Sequence, residues 1–191
     1  MTLSGAVFGG GFSDAPVESA RAFRTAMSAL ARPGEIGVMG GVHPPAPMSV
    51  AAGALVLTLC DPDTGLYLGG DMDTPEVRDW VTFNTGAPLV PAEQADFALG
   101  RWQALLPLAP YRIGTPEYPD QSATLIAEVA VLEPSGAVLS GPGIRDSARL
   151  SVPGAEALRA NAAEYPLGLD FFFTCGDRLA GLPRSTRVSE G

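Results

Sequence analysis

Along residues 17–32 apolar side chains return every three or four positions, at Ala20, Phe23, Met27, Leu30 and Ala31, while Arg21, Arg24 and Ser28 fall elsewhere. That period predicts an amphipathic helix with the first set turned inward. Pro33-Gly34 stops it, and Asp14 or Ser13 is placed to cap its start, with Pro16 in the first turn where its missing N–H would be unpaired anyway. Residues 35–39 then read as a short strand, the proline-rich 43–47 as a loop, and 49–60 as a helix apolar on nearly every side, which has to be covered all round. A strand at 66–68 precedes Asp73-Thr74-Pro75-Glu76, a strong helix start, and Val77, Trp80, Val81 and Asn84 follow at helical spacing until Gly86.

The second half continues the alternation. Residues 97–99, 123–131 and 138–140 read as strands, and 154–164 as a helix with Ala157, Leu158 and Ala162 on its inner side. Residues 169–175 and 178–182 flank Gly176-Asp177 as a hairpin. Its first strand, Leu169-Asp170-Phe171-Phe172-Phe173, is bulky on both faces, as expected of a strand covered on each side. Pro107, Pro110, Pro116 and Pro119 make the stretch between them an irregular surface connection. The pattern predicts a three-layer α/β/α domain with a mixed sheet. At 191 residues the expectation is a single α/β domain, 1–191, that buries roughly 70% of its unfolded surface; residues 1–14 are expected to be a loosely ordered N-terminal segment.

Composition narrows the chemistry. All 12 basic residues are Arg, none is Lys, and His43 is the only histidine. A Schiff base to a carbonyl cofactor, a phosphate-cradling P-loop and a His-assisted Ser or Cys nucleophile therefore lack their usual parts. The net charge of −9 argues against a nucleic-acid partner, which requires clustered positive charge. Residues 1–100 hold four Arg against eleven acids and residues 101–191 eight against ten, so an anion site belongs in the second half. Cys60 and Cys175 are isolated thiols among apolar neighbours, the pattern of a reduced, cytoplasmic chain. The start of the chain lacks a secretory pattern, and the longest apolar run, 50–60, is too short for the ~20 residues that cross a bilayer, so neither export by that route nor a membrane span is expected.

Two segments carry candidate chemistry, and each admits a plain reading. Gly141-Pro142-Gly143-Ile144-Arg145 is either an anion-binding backbone nest, with Arg145 and Arg149 supplying charge, or an ordinary turn. Leu182-Pro183-Arg184-Ser185-Thr186-Arg187 sets two Arg around two hydroxyls, which suits phosphate or carboxylate and equally suits a solvated edge strand. Asp61, Asp63, Asp71 and Asp73 lack the spacing of a calcium loop and read as loop caps, and His43 has no second metal ligand at short spacing, so no metal site is expected. Acid–base chemistry in a free-standing enzyme would have to rest on carboxylates such as Asp170 and Glu128.

Several segments together resemble one family. Phe23-Arg24 to Met27, Ala31-Arg32-Pro33-Gly34, Leu57-Thr58-Leu59-Cys60-Asp61-Pro62-Asp63-Thr64, Thr85-Gly86-Ala87-Pro88-Leu89-Val90 and Gly141-Pro142-Gly143-Ile144 are similar to motifs of the H subunits of the carbon-phosphorus lyase core complex (PhnH). The most specific piece is C-terminal: Tyr165-Pro166-Leu167-Gly168-Leu169-Asp170, Thr174-Cys175-Gly176-Asp177-Arg178-Leu179 and Leu182-Pro183-Arg184-Ser185-Thr186 in this order. The resemblance implies a fold similar to the large domain of pyridoxal-phosphate-dependent transferases without the cofactor, which agrees independently with the missing lysine. It implies a homodimer in isolation and, in the cell, a complex with G, I and J subunits. There the G, H and I subunits support formation of a ribose 1-phosphonate 5-triphosphate, α-D-ribose 1-methylphosphonate 5-triphosphate when the substrates are MgATP and methylphosphonate. The J subunit, with its iron-sulfur cluster and S-adenosylmethionine, later breaks the carbon-phosphorus bond. Relatives often carry His where this chain has Asn84. No catalytic residue carries over, so Gly141, Gly143, Arg145, Asp170, Arg184, Ser185 and Thr186 stand as candidates for an anion-binding or partner-contacting surface. The expected role is a required, non-catalytic subunit; the alternative is a stand-alone binding module for a phosphorylated or phosphonate small molecule.

Overall fold

The computed structural model describes residues 9–191. The expectation for residues 1–14 therefore falls mainly outside the described residues. Within them, the Gly9 carbonyl accepts from Trp80 Nε1 at 3.0 Å and the Gly10 carbonyl from the His43 N–H at 2.7 Å.

A six-stranded mixed sheet organises the chain. Its strands are β1 (Gly37–Val38), β2 (Leu66–Leu68), β3 (Phe97–Arg101), β4 (Thr124–Glu128), β7 (Asp170–Cys175) and β8 (Arg178–Leu182), in the order β1-β8-β7-β4-β3-β2. Strands β2, β3, β4 and β7 run parallel, and β8 and β1 turn antiparallel at one end. One face is covered by α1 (Ala15–Ala31), α2 (Val50–Leu59) and α3 (Pro75–Thr85). The other is covered by the short α4 (Trp102–Leu105), α5 (Ala155–Ala163) and an antiparallel three-stranded sheet of β5 (Ala137–Ser140), β6 (Ala148–Leu150) and β9 (Arg187–Ser189), ordered β6-β5-β9. The second sheet, α4, β6 and β9 were not legible in the periodicity, because each new element is only three or four residues long.

Local chemistry accounts for the helix limits. The Ser49 hydroxyl accepts from the Ala52 N–H at 3.2 Å to start α2, and the Thr74 hydroxyl accepts from the Val77 N–H at 3.2 Å to start α3. Gly86 closes α3 at φ +70°, a left-handed position that suits glycine. Six residues of α2, from Ala51 to Val56, are buried, in agreement with a helix apolar all round.

The inward face of α1 corrects the expectation. Its buried residues are Ala22, Ala26 and Ala29, whereas Phe23 and Met27 are 48% and 51% exposed. The reason is close approach. A Cβ added to Gly181 of β8 would stand 2.6 Å from the Ala29 carbonyl carbon, so helix and strand meet backbone to backbone, and only small side chains fit between them.

Candidate functional site

The β7–β8 hairpin sets the position of the C-terminal motif. Phe171 pairs with Leu182 across the ladder, so the chain leaving β8 passes beside Asp170 at the start of β7. Arg184 is fixed there by five hydrogen bonds. Its backbone N–H and Nε donate to Asp170 Oδ1 at 2.8 and 3.2 Å, Nη2 donates to Asp170 Oδ2 and to Ser122 Oγ, and Nη1 donates to the Pro119 carbonyl at 2.6 Å. The two side chains are 13% and 22% exposed. Every nitrogen of the guanidinium is engaged inside the chain, and the fork that suits an external oxyanion is used to brace the proline-rich connection against the sheet.

The other candidates gather around this brace or pack elsewhere. Gly141, at φ +134°, leaves room for only 3.0 Å between an added Cβ and the Ser185 carbonyl, so the Gly-Pro-Gly turn lies against residues 185–187. Gly143 faces the end of α1: an added Cβ would stand 2.0 Å from the Ala31 carbonyl oxygen. The Ile144 N–H donates back to the Gly141 carbonyl at 3.2 Å, which closes the turn on itself. Ser185 is half-buried, and the buried Thr186 hydroxyl has no partner among the described residues. Arg145 is exposed, and Arg149 Nη1 donates to the Gly136 carbonyl at 3.2 Å. The structure thus joins Asp170 to Arg184 and Gly141 to Ser185 and Thr186, and leaves Gly143 and Arg145 out of one constellation.

Next to the brace lies an apolar groove of about 840 Å³. One wall is the connection, with Leu106, Leu108, Tyr111 and Ile113, and the other is the Ala157, Ala160 and Glu164 side of α5. Asn161 of α5 ties its floor: Oδ1 accepts from the Leu169 N–H at 2.7 Å and Nδ2 donates to the Leu169 carbonyl at 2.9 Å. The Gly168 N–H donates to the Ile113 carbonyl at 3.0 Å. Both groove and clamp escaped the sequence reading. The available signal was Leu105-Leu106-Pro107-Leu108-Ala109, an apolar run inside what otherwise reads as a surface loop. With apolar walls and one carboxylate, the groove can bury an apolar partner surface.

The carboxyl ends of parallel strands are where open α/β sheets commonly bind ligands. Here Glu128, at the end of β4, accepts from the Ser49 N–H at 2.7 Å and so sits at the start of α2. Burial pushes its carboxyl above the ordinary glutamate value, against the Ser49 hydrogen bond and the nearby Arg101 charge. Arg101, one strand over, pairs with Asp71 at 2.7 Å. Asp73 pairs with Arg78, which holds its carboxyl below the usual range, and Asp61 Oδ1 accepts from the Asp63 N–H at 3.0 Å. These acids act as loop caps and ion-pair partners, and no group of three or more His, Cys, Asp or Glu is placed to hold a metal among the described residues. Among them, too, no helix is long and apolar enough to cross a membrane.

Comparison with known proteins places this geometry in a lineage. Residues 10–189 match the sequence profile of the family described as bacterial phosphonate metabolism protein (PhnH). The chain is 34% identical over 197 residues, covering 98% of each chain, to the alpha-D-ribose 1-methylphosphonate 5-triphosphate synthase subunit PhnH of Rhizobium meliloti (strain 1021). It is 31% identical over 195 residues, covering 94% of this chain and 95% of the other, to a Stutzerimonas stutzeri protein named "Putative C-P lyase subunit protein HtxG".

Proposed function

This chain belongs to the PhnH family of bacterial phosphonate metabolism proteins, and on that premise we propose that it is a required, non-catalytic subunit of a carbon-phosphorus lyase core complex. With G and I subunits it supports formation of α-D-ribose 1-methylphosphonate 5-triphosphate from MgATP and methylphosphonate, and it shares the assembly with a J subunit that carries the iron-sulfur cluster and uses S-adenosylmethionine. The chain itself holds no cofactor, works in the cytoplasm and pairs as a homodimer when isolated. A likeness to the large domain of pyridoxal-phosphate enzymes is part of the same proposal, with no lysine available to bind that cofactor.

One observation carries this reading: Arg184, in the family's C-terminal motif, has every guanidinium nitrogen engaged within the chain. The motif shapes a surface, and the surface it shapes is the apolar groove between the connection and α5, which suits a protein partner. The half-exposed Phe23 and Met27 on α1 leave further apolar area for a second copy to cover. The test is co-expression of a tagged copy with G, I and J subunits and native mass spectrometry of the purified assembly. Stoichiometric capture, two copies of each, is the expected result. A bare dimer, with the partners soluble and unbound, overturns the proposal.

A further inference from the structure

The two arginines of the segment 182–187 have different surroundings. Arg184 is enclosed, whereas Arg187, three residues on, is exposed and has no ion pair or side-chain hydrogen bond among the described residues. It opens β9 opposite Ser140 of β5, and the strand period of two brings Ser189 to the same face. Together with Arg159 of α5 these residues line a second pocket of about 460 Å³, whose α5 wall is otherwise the small Ala162 and Ala163. Residues 159, 162 and 163 occupy the side of α5 turned away from the apolar groove, which takes 157, 160 and 164.

Two arginines line this one pocket in a chain of net charge −9. Arg32, Arg78, Arg101, Arg112 and Arg184 each pair with a carboxylate, while Arg21, Arg24, Arg145, Arg149 and Arg178, like Arg187, form no ion pair among the described residues but do not line this pocket. Arg159 makes only a 3.5 Å contact with Glu190, whose side chain is 87% exposed and stands at the rim. Arg187 has no acid, and the Ser140 hydroxyl has no hydrogen-bond partner among the described residues. We infer that Arg159, Arg187 and Ser140 form a binding site for the tetrahedral oxyanion of a small phosphate or phosphonate. Two guanidinium forks and a hydroxyl suit three phosphoryl oxygens, and the volume admits an organic substituent besides the PO₃ group. The bound oxyanion takes the place of the loosely held Glu190 carboxylate beside Arg159.

The site goes beyond the subunit role and stands on the isolated chain, so its failure is separate from a failure of assembly. The experiment is titration calorimetry of the full chain at low ionic strength with inorganic phosphate, methylphosphonate and ATP in parallel. Saturable binding of one equivalent per chain is expected from at least one probe, and the tightest of the three identifies the source of the PO₃ group. Arg187→Ala and Arg159→Ala should each weaken it roughly 10- to 100-fold, the loss of a charge-assisted hydrogen bond. Glu190→Gln should tighten it. Both arginines are exposed, so thermal melting of the variants should stay close to that of the parent chain. Absence of saturable heat from all three probes, or binding indifferent to Arg187→Ala, overturns the inference.

Discussion

Arg184→Ala removes the centre of the brace and leaves Asp170, with its side chain 22% exposed, without its cationic partner. Breaking a largely buried ion pair from one side costs about 3–5 kcal/mol, because the remaining charge has lost water as well as its partner. The Pro119 carbonyl and Ser122 lose a donor in the same step. For a chain of this size about 1 kcal/mol corresponds to ~2–4 °C in melting temperature, so a fall of roughly 6–20 °C is expected by circular dichroism. Urea titration on the same variant gives the free energy directly, and limited proteolysis should cut first in the 107–122 connection that Arg184 no longer holds. Arg184→Lys should recover only part of the loss, since an ammonium cannot reproduce a planar fork that reaches three partners. A cycle with Asp170→Ala should show coupling of about 0.5–3 kcal/mol. A melting change below 2 °C for Arg184→Ala, or strict additivity with Asp170→Ala, would refute the brace.

Gly181→Ala should destabilise by about 1–3 kcal/mol in urea, because the new methyl meets the Ala29 backbone at 2.6 Å and forces α1 off the sheet. Glu128→Ala strips the acceptor from the Ser49 N–H and should lose about 1–3 kcal/mol, whereas Glu128→Gln keeps an acceptor there and should lose less. Because burial raises the Glu128 carboxyl above its unfolded value, the folded state binds that proton more readily, and its contribution to stability is greatest in acid. The stability of the parent chain relative to Glu128→Gln should therefore fall as pH rises from the ordinary glutamate value through the raised one, then level off; a difference that grows with pH contradicts the burial argument. Cys60, whose thiol is pushed up to about 12 mainly by burial, should resist iodoacetamide at pH 8 in the folded chain, so native labelling gives at most one modified thiol and unfolding gives two.

Much of the architecture was legible because its signals are local. The Asp73-Thr74-Pro75-Glu76 start, the Gly86 stop, the apolar run of α2 and the triple phenylalanine of β7 each announce an element without reference to the rest of the chain. The inner face of α1 departs from its sequence pattern for a physical reason: the period turns large apolar residues inward, but the helix lies on Gly181, and that approach selects Ala22, Ala26 and Ala29. The candidate residues were similarly half legible. Composition singled out Arg184 as suited to an oxyanion, and only the fold reveals that Asp170, Pro119 and Ser122 occupy it. Asn161, eight residues before its partner Leu169, carries no pattern that a sequence alone would separate from any helical asparagine.

Strand order also governs when this protein can fold. Residues 170–182 supply β7 and β8, yet in the sheet they lie between β1 and β4, and α1 packs on β8 from the opposite end of the chain. A nascent chain lacking them leaves α1 with α2 but without the β8 backbone that Ala29 meets, and presents β4 as a bare edge. The 169 residues before this hairpin must therefore wait, partly unburied, until it emerges from the ribosome. Emergence of residues 170–182 becomes the event that closes the sheet, and truncation before residue 170 should leave an aggregation-prone fragment.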